Sequence, residues 1–297
     1  MQIIDIFKQS QLPRLETEIL LAHLLKKERE FLLIHPETKI PAAIYKKYQA
    51  LQAKRLTGWS IAVLISAKEF YGLNFFVDKH VLVPRPETEM IVEEIQKIIV
   101  TLPTKYLKLN SSIIDLGTGS GAIIISLAKE LRQEVKRLSI SFKAVDISPL
   151  ALKVAEKNAR WHKQTRNIKF LLGNLLEPLI NKNDYSSLIK DNLFIAANLP
   201  YLTATQIKQA PSIKREPRLA LLAGRDGLKY YRVLFKQLAV LQKNNPENHR
   251  LIHILCEIDP GQVKNLKILQ KNILPQASIA LRKDLSGQAR LALITIS

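Results

Sequence analysis

The chain has 297 residues, of which 47% are hydrophobic, with one cysteine and a formal charge of +19 at pH 7. That length suits one large domain plus a small one, and the lone Cys256 excludes an internal disulfide and fits a reducing, cytoplasmic setting. No apolar stretch approaches the roughly 20 residues of a membrane span, and the start, MQIIDIFKQSQLPRLETE, lacks the basic and apolar regions of a secretory signal.

Through about residue 60 apolar residues recur at helical spacing. ETEILLAHLLKK puts Ile19, Leu20, His23 and Leu24 on one stripe, and AAIYKKYQALQAKRL continues as a second amphipathic helix. Pro13 and Pro41 stand near helix starts, where a missing N–H is harmless. Residues 1–64 are therefore expected to form a small helical bundle. From Ile65 to Val83 the pattern changes to aromatic and β-branched alternation with turn signals at Gly72 and Asp78, which predicts a β-hairpin. Residues 65–90 then read as a hairpin linker ending in PRPETE, whose Glu87, Thr88 and Glu89 suit the first turn of the helix EMIVEEIQKIIV.

Residues 91–297 read as a third unit, in which short apolar strands alternate with amphipathic helices. Strands are expected at 113–116, 142–145, 169–172, 193–197, 251–256, 278–281 and 290–296, with helices near 121–132, 149–162, 227–242 and 260–272. Such alternation predicts an α/β fold with a mostly parallel sheet covered on both faces. The last two strands are separated only by RKDLSGQA, too short for a helical crossover, so they form an antiparallel hairpin on the sheet edge. The polar stretches TLPTKYLKLNSS, NKNDYSS and QKNNPENH are a linker and ordinary turns.

The chemistry concentrates at strand ends. IIDLGTGSGAI places Gly117, Gly119 and Gly121 between a strand and a helix, where a ligand can approach the backbone of an open α/β sheet. The spacing is Gly-x-Gly-x-Gly and not the dinucleotide fingerprint Gly-x-Gly-x-x-Gly. Asp146 closes the next strand in KAVDISPLAL, where a carboxylate accepts hydrogen bonds from both ribose hydroxyls; the competing role, capping the following helix, is open to Ser148. Asn174 in LLGNLLEP offers an acceptor for an adenine amino group or serves as a turn residue. Three such strand ends describe a nucleoside-bearing ligand. There is no phosphate-binding Gly-x-x-x-x-Gly-Lys motif, no nucleophile elbow and no metal-ligand spacing, and Cys256 reads as core. The fourth strand end, AANLPYLT, sets Asn198, Leu199, Pro200 and Tyr201 in a row.

DLGTGSGAI, VDISPLAL and NLPY, in this order, resemble the seven-stranded S-adenosylmethionine-dependent methyltransferases. NLPY is similar to the Asn/Asp-Pro-Pro-Tyr/Phe element of those that methylate a planar nitrogen. EFYGLNFFVDKHVLVPRPETE, REPRLALLAGRDGLKYYR, RKDLSGQARLALI and the helical start PRLETEILLAHLL narrow the match to the peptide chain release factor N5-glutamine methyltransferases, the HemK/PrmC family, over nearly the whole chain. The resemblance implies a seven-stranded Rossmann-like methyltransferase sheet with a C-terminal antiparallel hairpin, preceded by a small N-terminal helical bundle that recognises the substrate. It implies S-adenosylmethionine as cofactor and S-adenosylhomocysteine as product, held by Gly117, Thr118, Gly119, Ser120, Gly121, Asp146, Asn174, Leu175 and Asn198. It also implies a class I release factor as partner, methylated on the glutamine of its Gly-Gly-Gln loop. That glutamine would bind at Asn198, Leu199, Pro200 and Tyr201, with Asn198, Pro200 and Tyr201 catalytic.

A cytoplasmic, monomeric enzyme without a metal is expected. The charge leaves attraction to an acidic protein or a ribonucleoprotein, and so proximity to the ribosome, open. Aromatic residues are only 6%, and no basic block is interleaved with them as in single-strand stacking platforms. Three departures from the family stand out: Leu199 where proline is common, Asn174 where an acid is usual, and Asp259 where glycine is usual. Asp259 is expected to cap a helix, and Arg85, Glu87 and Glu89 to organise the cleft or simply to start a solvated helix. NLPY also occurs in nucleic-acid adenine methyltransferases, and an inactive cofactor-binding scaffold is a third reading; the helical start, PRPETE and EPRLAL favour the protein substrate.

Overall fold

The computed structural model describes residues 1–102, 110–134, 139–180, 192–243 and 251–296. The linker at 101–112 and the polar turns at 181–187 and 242–249 lie wholly or largely outside the described residues.

The first 65 residues form five helices, Ile3–Gln9, Arg14–Leu25, Arg29–Ile34, Ala42–Leu56 and Ile61–Ile65. They bury a core of their own around Ile3, Ile6, Leu20, Leu21, Leu32 and Tyr48. Pro13 and Pro41 occupy N-cap positions. The helix Arg14–Leu25 is rotated from the expected stripe: Thr17, Leu20 and Leu21 are buried while His23 is exposed. The reason is that Thr17, Leu20, Leu21 and Leu24 supply the complete i, i+3, i+4, i+7 face, which His23 lies outside. Glu18, buried on the same helix, is held by Arg14 and Arg29 at 2.8 Å each. These bonds pull its pKa below the ordinary range against the effect of burial.

The hairpin is shorter than expected. Strands β1 (Lys68–Phe70) and β2 (Leu73–Phe75) pair antiparallel around Tyr71 and Gly72, both with positive φ, as a tight two-residue turn requires. Beyond it the chain is tied down by a side chain. Asn158 accepts the Phe76 N–H at 2.8 Å and donates to the Phe76 carbonyl at 2.9 Å.

The main sheet has seven strands: β3 (Ser111–Leu116), β4 (Ile140–Asp146), β5 (Ile168–Leu172), β6 (Asn192–Ala197), β7 (Ile252–Glu257), β8 (Ser278–Lys283) and β9 (Ala289–Ile296). Their spatial order is β5-β4-β3-β6-β7-β9-β8. The first five are parallel, and β9 runs antiparallel to both β7 and β8. The expected C-terminal hairpin is present, with the last strand inserted between β7 and β8, so β8 is the edge. β3, β6 and β7 are buried along their whole length, which is why they read as unbroken apolar runs, whereas β8 alternates with exposed positions. Chain order reverses at β3: β4 lies on one side and β6 on the other. Their carboxyl ends therefore open a crevice at the switch point, where sheets of this kind bind ligands. Cys256 lies fully buried in β7, and burial pushes its thiol pKa well up. Among the described residues no helix is long and apolar enough to cross a membrane.

His253 in β7 stacks on Phe194 with ring centroids 5.4 Å apart, and its Nδ1 lies 3.1 Å from Thr295 Oγ1. Burial disfavours the imidazolium and lowers its pKa from 6.5 to about 4. The unfolded chain thus takes up a proton that the folded chain refuses, so stability falls as pH drops from 6.5 towards 4. Between pH 7 and pH 4.5 the unfolding free energy, measured in urea, should shift in favour of a His253→Phe variant relative to wild type by roughly 2 to 3 kcal/mol. An unchanged difference would place the acid sensitivity elsewhere.

Candidate active site

A cleft of about 240 Å³ opens at the carboxyl ends of β3, β4, β5 and β6. Gly117, Thr118, Gly119, Ser120, Asp146, Asn174, Leu175, Asn198, Leu199 and Pro200 line it. Gly121 and Tyr201 do not. Gly121, with φ of 79°, starts the next helix, and a Cβ there would sit 2.9 Å from Ile125 Cδ1 and 3.2 Å from Ala155 Cβ. It is a glycine of helix packing.

The turn after β3 is folded onto its neighbour. Gly117 and Thr118 N–H groups donate to the Val145 carbonyl at 2.8 and 3.0 Å, Gly119 N–H to Asp146 Oδ2 at 2.9 Å, and Gly121 N–H to the Thr118 carbonyl at 2.8 Å. These amides are committed within the protein, so the turn is not a phosphate cradle, in which such groups point at the ligand. Asp146 is 8% exposed and lines the cleft. Its second oxygen accepts from Ser148 N–H at 2.8 Å, while Ser148 Oγ caps the helix Pro149–Trp161 through Ala151 N–H. A carboxylate offers about four lone-pair sites; the Gly119 and Ser148 N–H groups take two and the Ile147 N–H also acts on it, so acceptor capacity towards the cleft remains. Burial raises the Asp146 pKa, against its backbone hydrogen bonds.

Asp115 lies beneath the turn, fully buried, with Thr118 Oγ1 donating to it at 2.6 Å. Desolvation lifts its pKa to about 7. Leu175 holds an unfavourable φ of 56°, supported by Gln237, which accepts from Leu176 N–H at 3.0 Å and donates to the Asn174 carbonyl at 3.2 Å. With Phe70, Val81 and Ala151 apolar on the walls and Asp146 among the polar groups, the cleft fits a nucleoside.

The tetrapeptide after β6 is a partition. Asn198, Leu199 and Pro200 line this cleft and also a second recess of about 90 Å³, which is completed by Arg85, Tyr201 and Glu257 among others. The Leu199 side chain is 2% exposed and lies against Gly117, where an added Cβ would be 3.4 Å from Leu199 Cδ2. Asn198 Nδ2 donates to Thr88 Oγ1 at 2.9 Å. Thr88 donates to Glu257 Oε2 at 2.5 Å, and the Tyr201 hydroxyl donates to Glu257 Oε1 at 3.2 Å. The Tyr201 carbonyl accepts from Gln262 Nε2 at 2.6 Å, and Tyr231 donates to the Glu257 carbonyl. Among the described residues no donor reaches Asn198 Oδ1 or the Leu199 carbonyl. Burial raises the pKa of Tyr201, with the nearby Glu257 charge adding to it. Burial also raises that of Glu257, opposed by the bonds from Thr88 and Tyr201.

Arg85 and Glu89 have partners across the fold: Arg85 pairs with Glu216 at 2.6 Å, and Glu89 accepts from Tyr71 N–H at 2.8 Å. Glu87 is exposed. Asp259 caps the turn Pro260–Gln262 through Gly261 N–H at 2.8 Å, as expected. Motif reading misses Thr88 and Glu257 as site residues. The available signal is an acid at the end of the apolar strand ILCE, where a charge is costly without partners. No group of three or more potential metal ligands occurs among the described residues.

A family model described as the PrmC N-terminal domain matches residues 1–65, and one described as a methyltransferase domain matches residues 107–258. The release factor glutamine methyltransferase of Coxiella burnetii (strain RSA 493 / Nine Mile phase I) is 39% identical over 282 residues, covering 95% of this chain and 91% of that protein. Its counterpart from Dictyoglomus turgidum (strain DSM 6724 / Z-1310) is 34% identical over 279 residues, covering 93% and 89%. The solved catalytic domain of hMettl16, in complex with the MAT2A 3'UTR hairpin 6, shares the fold, with a TM-score of 0.55, 16% identity and coverage of 93% and 92%. The N-terminal domain of human METTL16 in complex with SAH does so with a TM-score of 0.50, 16% identity and 93% coverage of each chain.

Asp146→Ala removes a carboxylate that lines the cleft and the partner of Gly119 N–H. It should weaken binding of S-adenosylhomocysteine, titrated calorimetrically, by about tenfold or more. Unchanged affinity would remove Asp146 from the ligand site.

Proposed function

The chain belongs to the release factor glutamine methyltransferase family, and on that premise we propose that it methylates the side-chain nitrogen of the glutamine in the Gly-Gly-Gln loop of class I release factors. The observation that carries this reading is the partition: Asn198, Leu199 and Pro200 separate a nucleoside-shaped cleft from a second recess, with two acceptors free of donors among the described residues. When bound, S-adenosylmethionine supplies an electrophilic sulfonium methyl.

A glutamine amide nitrogen is a poor nucleophile because its lone pair is delocalised into the carbonyl. What this chain can contribute is geometry. Asn198 Oδ1 accepts one amide hydrogen and the Leu199 carbonyl accepts the other, which aims the nitrogen at the cleft. Pro200 biases Leu199 towards an extended backbone, which favours presentation of the carbonyl although position 199 lacks the usual proline. Leucine there restores an N–H and a flexible φ, while its side chain packs into the glycine turn. Tyr201, tethered to Glu257, supplies a flat face beside the amide. Neither acceptor is a strong base, so the amide proton departs to water with or after the transfer.

The same reading assigns Gly117, Thr118, Gly119, Ser120, Asp146, Asn174, Leu175 and Asn198 to the cofactor cleft. It divides the chain into a substrate-recognition domain at 1–64, a hairpin linker at 65–90 and the catalytic domain at 91–297. The separate core of the helical bundle supports the division. Arg215 of the REPR segment donates to the Thr57 carbonyl at 3.1 Å and so joins bundle and site.

Labelled S-adenosylmethionine, incubated separately with a release factor, its Gln→Ala loop variant and ribosomal RNA, tests the proposal. Label is expected on the first alone; label on RNA and not on the release factor contradicts it. Asn198→Ala should lower turnover on the order of 10²-fold with cofactor affinity little changed. Near-normal turnover would remove Asn198 from the amide clamp.

A further inference from the structure

We infer that Thr88 and Glu257 are positioning residues for the methyl-acceptor amide, because together they dictate which atom of the Asn198 side chain faces the substrate. The inference rests on the glutamine reading above and adds to it the element that sets the polarity of the clamp.

An asparagine amide presents an acceptor at one corner and a donor at the other, and the two corners have nearly the same shape. Only the acceptor can hold the hydrogen of a glutamine nitrogen. A flipped Asn198 would turn Nδ2 towards the substrate and oppose donor to donor. Something must therefore distinguish the two orientations, and the neighbours of Nδ2 do so. Thr88 Oγ1 lies 2.9 Å from Asn198 Nδ2 and 2.5 Å from Glu257 Oε2. A threonine hydroxyl has one proton. Glu257 accepts from Tyr201 on one oxygen and from Thr88 on the other, and these two donors favour its carboxylate form against burial, so the Thr88 proton goes to it. The Thr88 oxygen then offers lone pairs alone, and only Nδ2 of Asn198 can meet it. Oδ1 is left for the substrate.

Two further observations separate this from ordinary packing. Thr88 ends the 3-10 turn Pro86–Thr88 that runs into the helix Glu89–Val100, and its hydroxyl makes no bond to that helix. Its hydroxyl is committed instead to residues 110 and 169 positions away along the chain. Glu257 is also shared: its other oxygen accepts from Tyr201 at 3.2 Å, so one carboxylate orients the first and last side chains of the tetrapeptide. Thr88 is 4% exposed, as is Glu257, which keeps water from substituting for either partner.

The test uses Thr88→Val, which keeps the shape and removes the hydroxyl, and Thr88→Ser, which keeps the hydroxyl, in the full chain. With release factor as substrate, Thr88→Val is expected to lower kcat by about tenfold or more, while the dissociation constant for S-adenosylhomocysteine stays within about twofold. Thr88→Ser is expected to recover most of the lost kcat. The Asn198 side-chain NH₂ resonances, identified by their absence in Asn198→Ala, should shift in the Val variant and stay near wild type in the Ser variant. A Val variant with wild-type kcat, or Val and Ser variants equally impaired, overturns the inference. If wild-type enzyme transfers no methyl to glutamine, the substrate reading fails and the positioning role falls with it; methyl transfer by wild type with unshifted Asn198 resonances in the Val variant overturns the inference alone.

Discussion

A hydroxyl has a single proton, and the site of this enzyme turns on where Thr88 sends it. Donation to Glu257 makes the Thr88 oxygen an acceptor, which orients the Asn198 amide, which in turn leaves a carbonyl oxygen at the boundary between two cavities. None of these groups is a strong base or a nucleophile. The chemistry that such an arrangement supports is placement of a planar nitrogen, and the energetic cost is a carboxylate kept in a buried setting where desolvation works against its charge. That cost is offset by donors from Thr88 and Tyr201 and by the nearby charge of Arg290.

The fold supplies the distances. Five parallel strands, three of them buried along their whole length, form a stiff platform, and the reversal of strand order at β3 opens a crevice beside the ends of β4 and β6. The cofactor cleft and the tetrapeptide are therefore products of one topological event. β7 pairs with β6 on the side away from β3, and its last residue, Glu257, meets the network that holds Asn198. The segment before the helix Glu89–Val100 closes that network from outside the sheet with Thr88. The glycine turn uses its amides internally, and Leu199 packs against it at Gly117.

Much of this is legible in the sequence because ligand contacts in an α/β sheet are local. Each contact follows a strand within a few residues, so Gly117–Ser120, Asp146, Asn174 and the stretch Asn198–Pro200 all carry short signatures, and all line the cleft. Gly121 shares the glycine pattern but serves helix packing, a distinction that depends on Ala155 in another helix. Thr88 and Glu257 are not legible as a pair: 169 positions separate them, and each fits a local explanation, a helix start and the end of an apolar strand. Likewise, strand alternation predicts the C-terminal hairpin but not that β9 inserts between β7 and β8, since either strand of a hairpin can pair with the sheet. His23 reads as part of a buried stripe because its neighbours are apolar; the more complete face through Thr17, Leu20 and Leu21 wins instead.

The polarity of the clamp is tested most directly by a crystal structure of the enzyme with S-adenosylhomocysteine and a glutamine-containing loop peptide. The glutamine nitrogen is expected within hydrogen-bond distance of Asn198 Oδ1 and the Leu199 carbonyl, with Asn198 Nδ2 still on Thr88. A glutamine nitrogen bound elsewhere, or an Asn198 amide turned with Nδ2 towards the substrate, would contradict it.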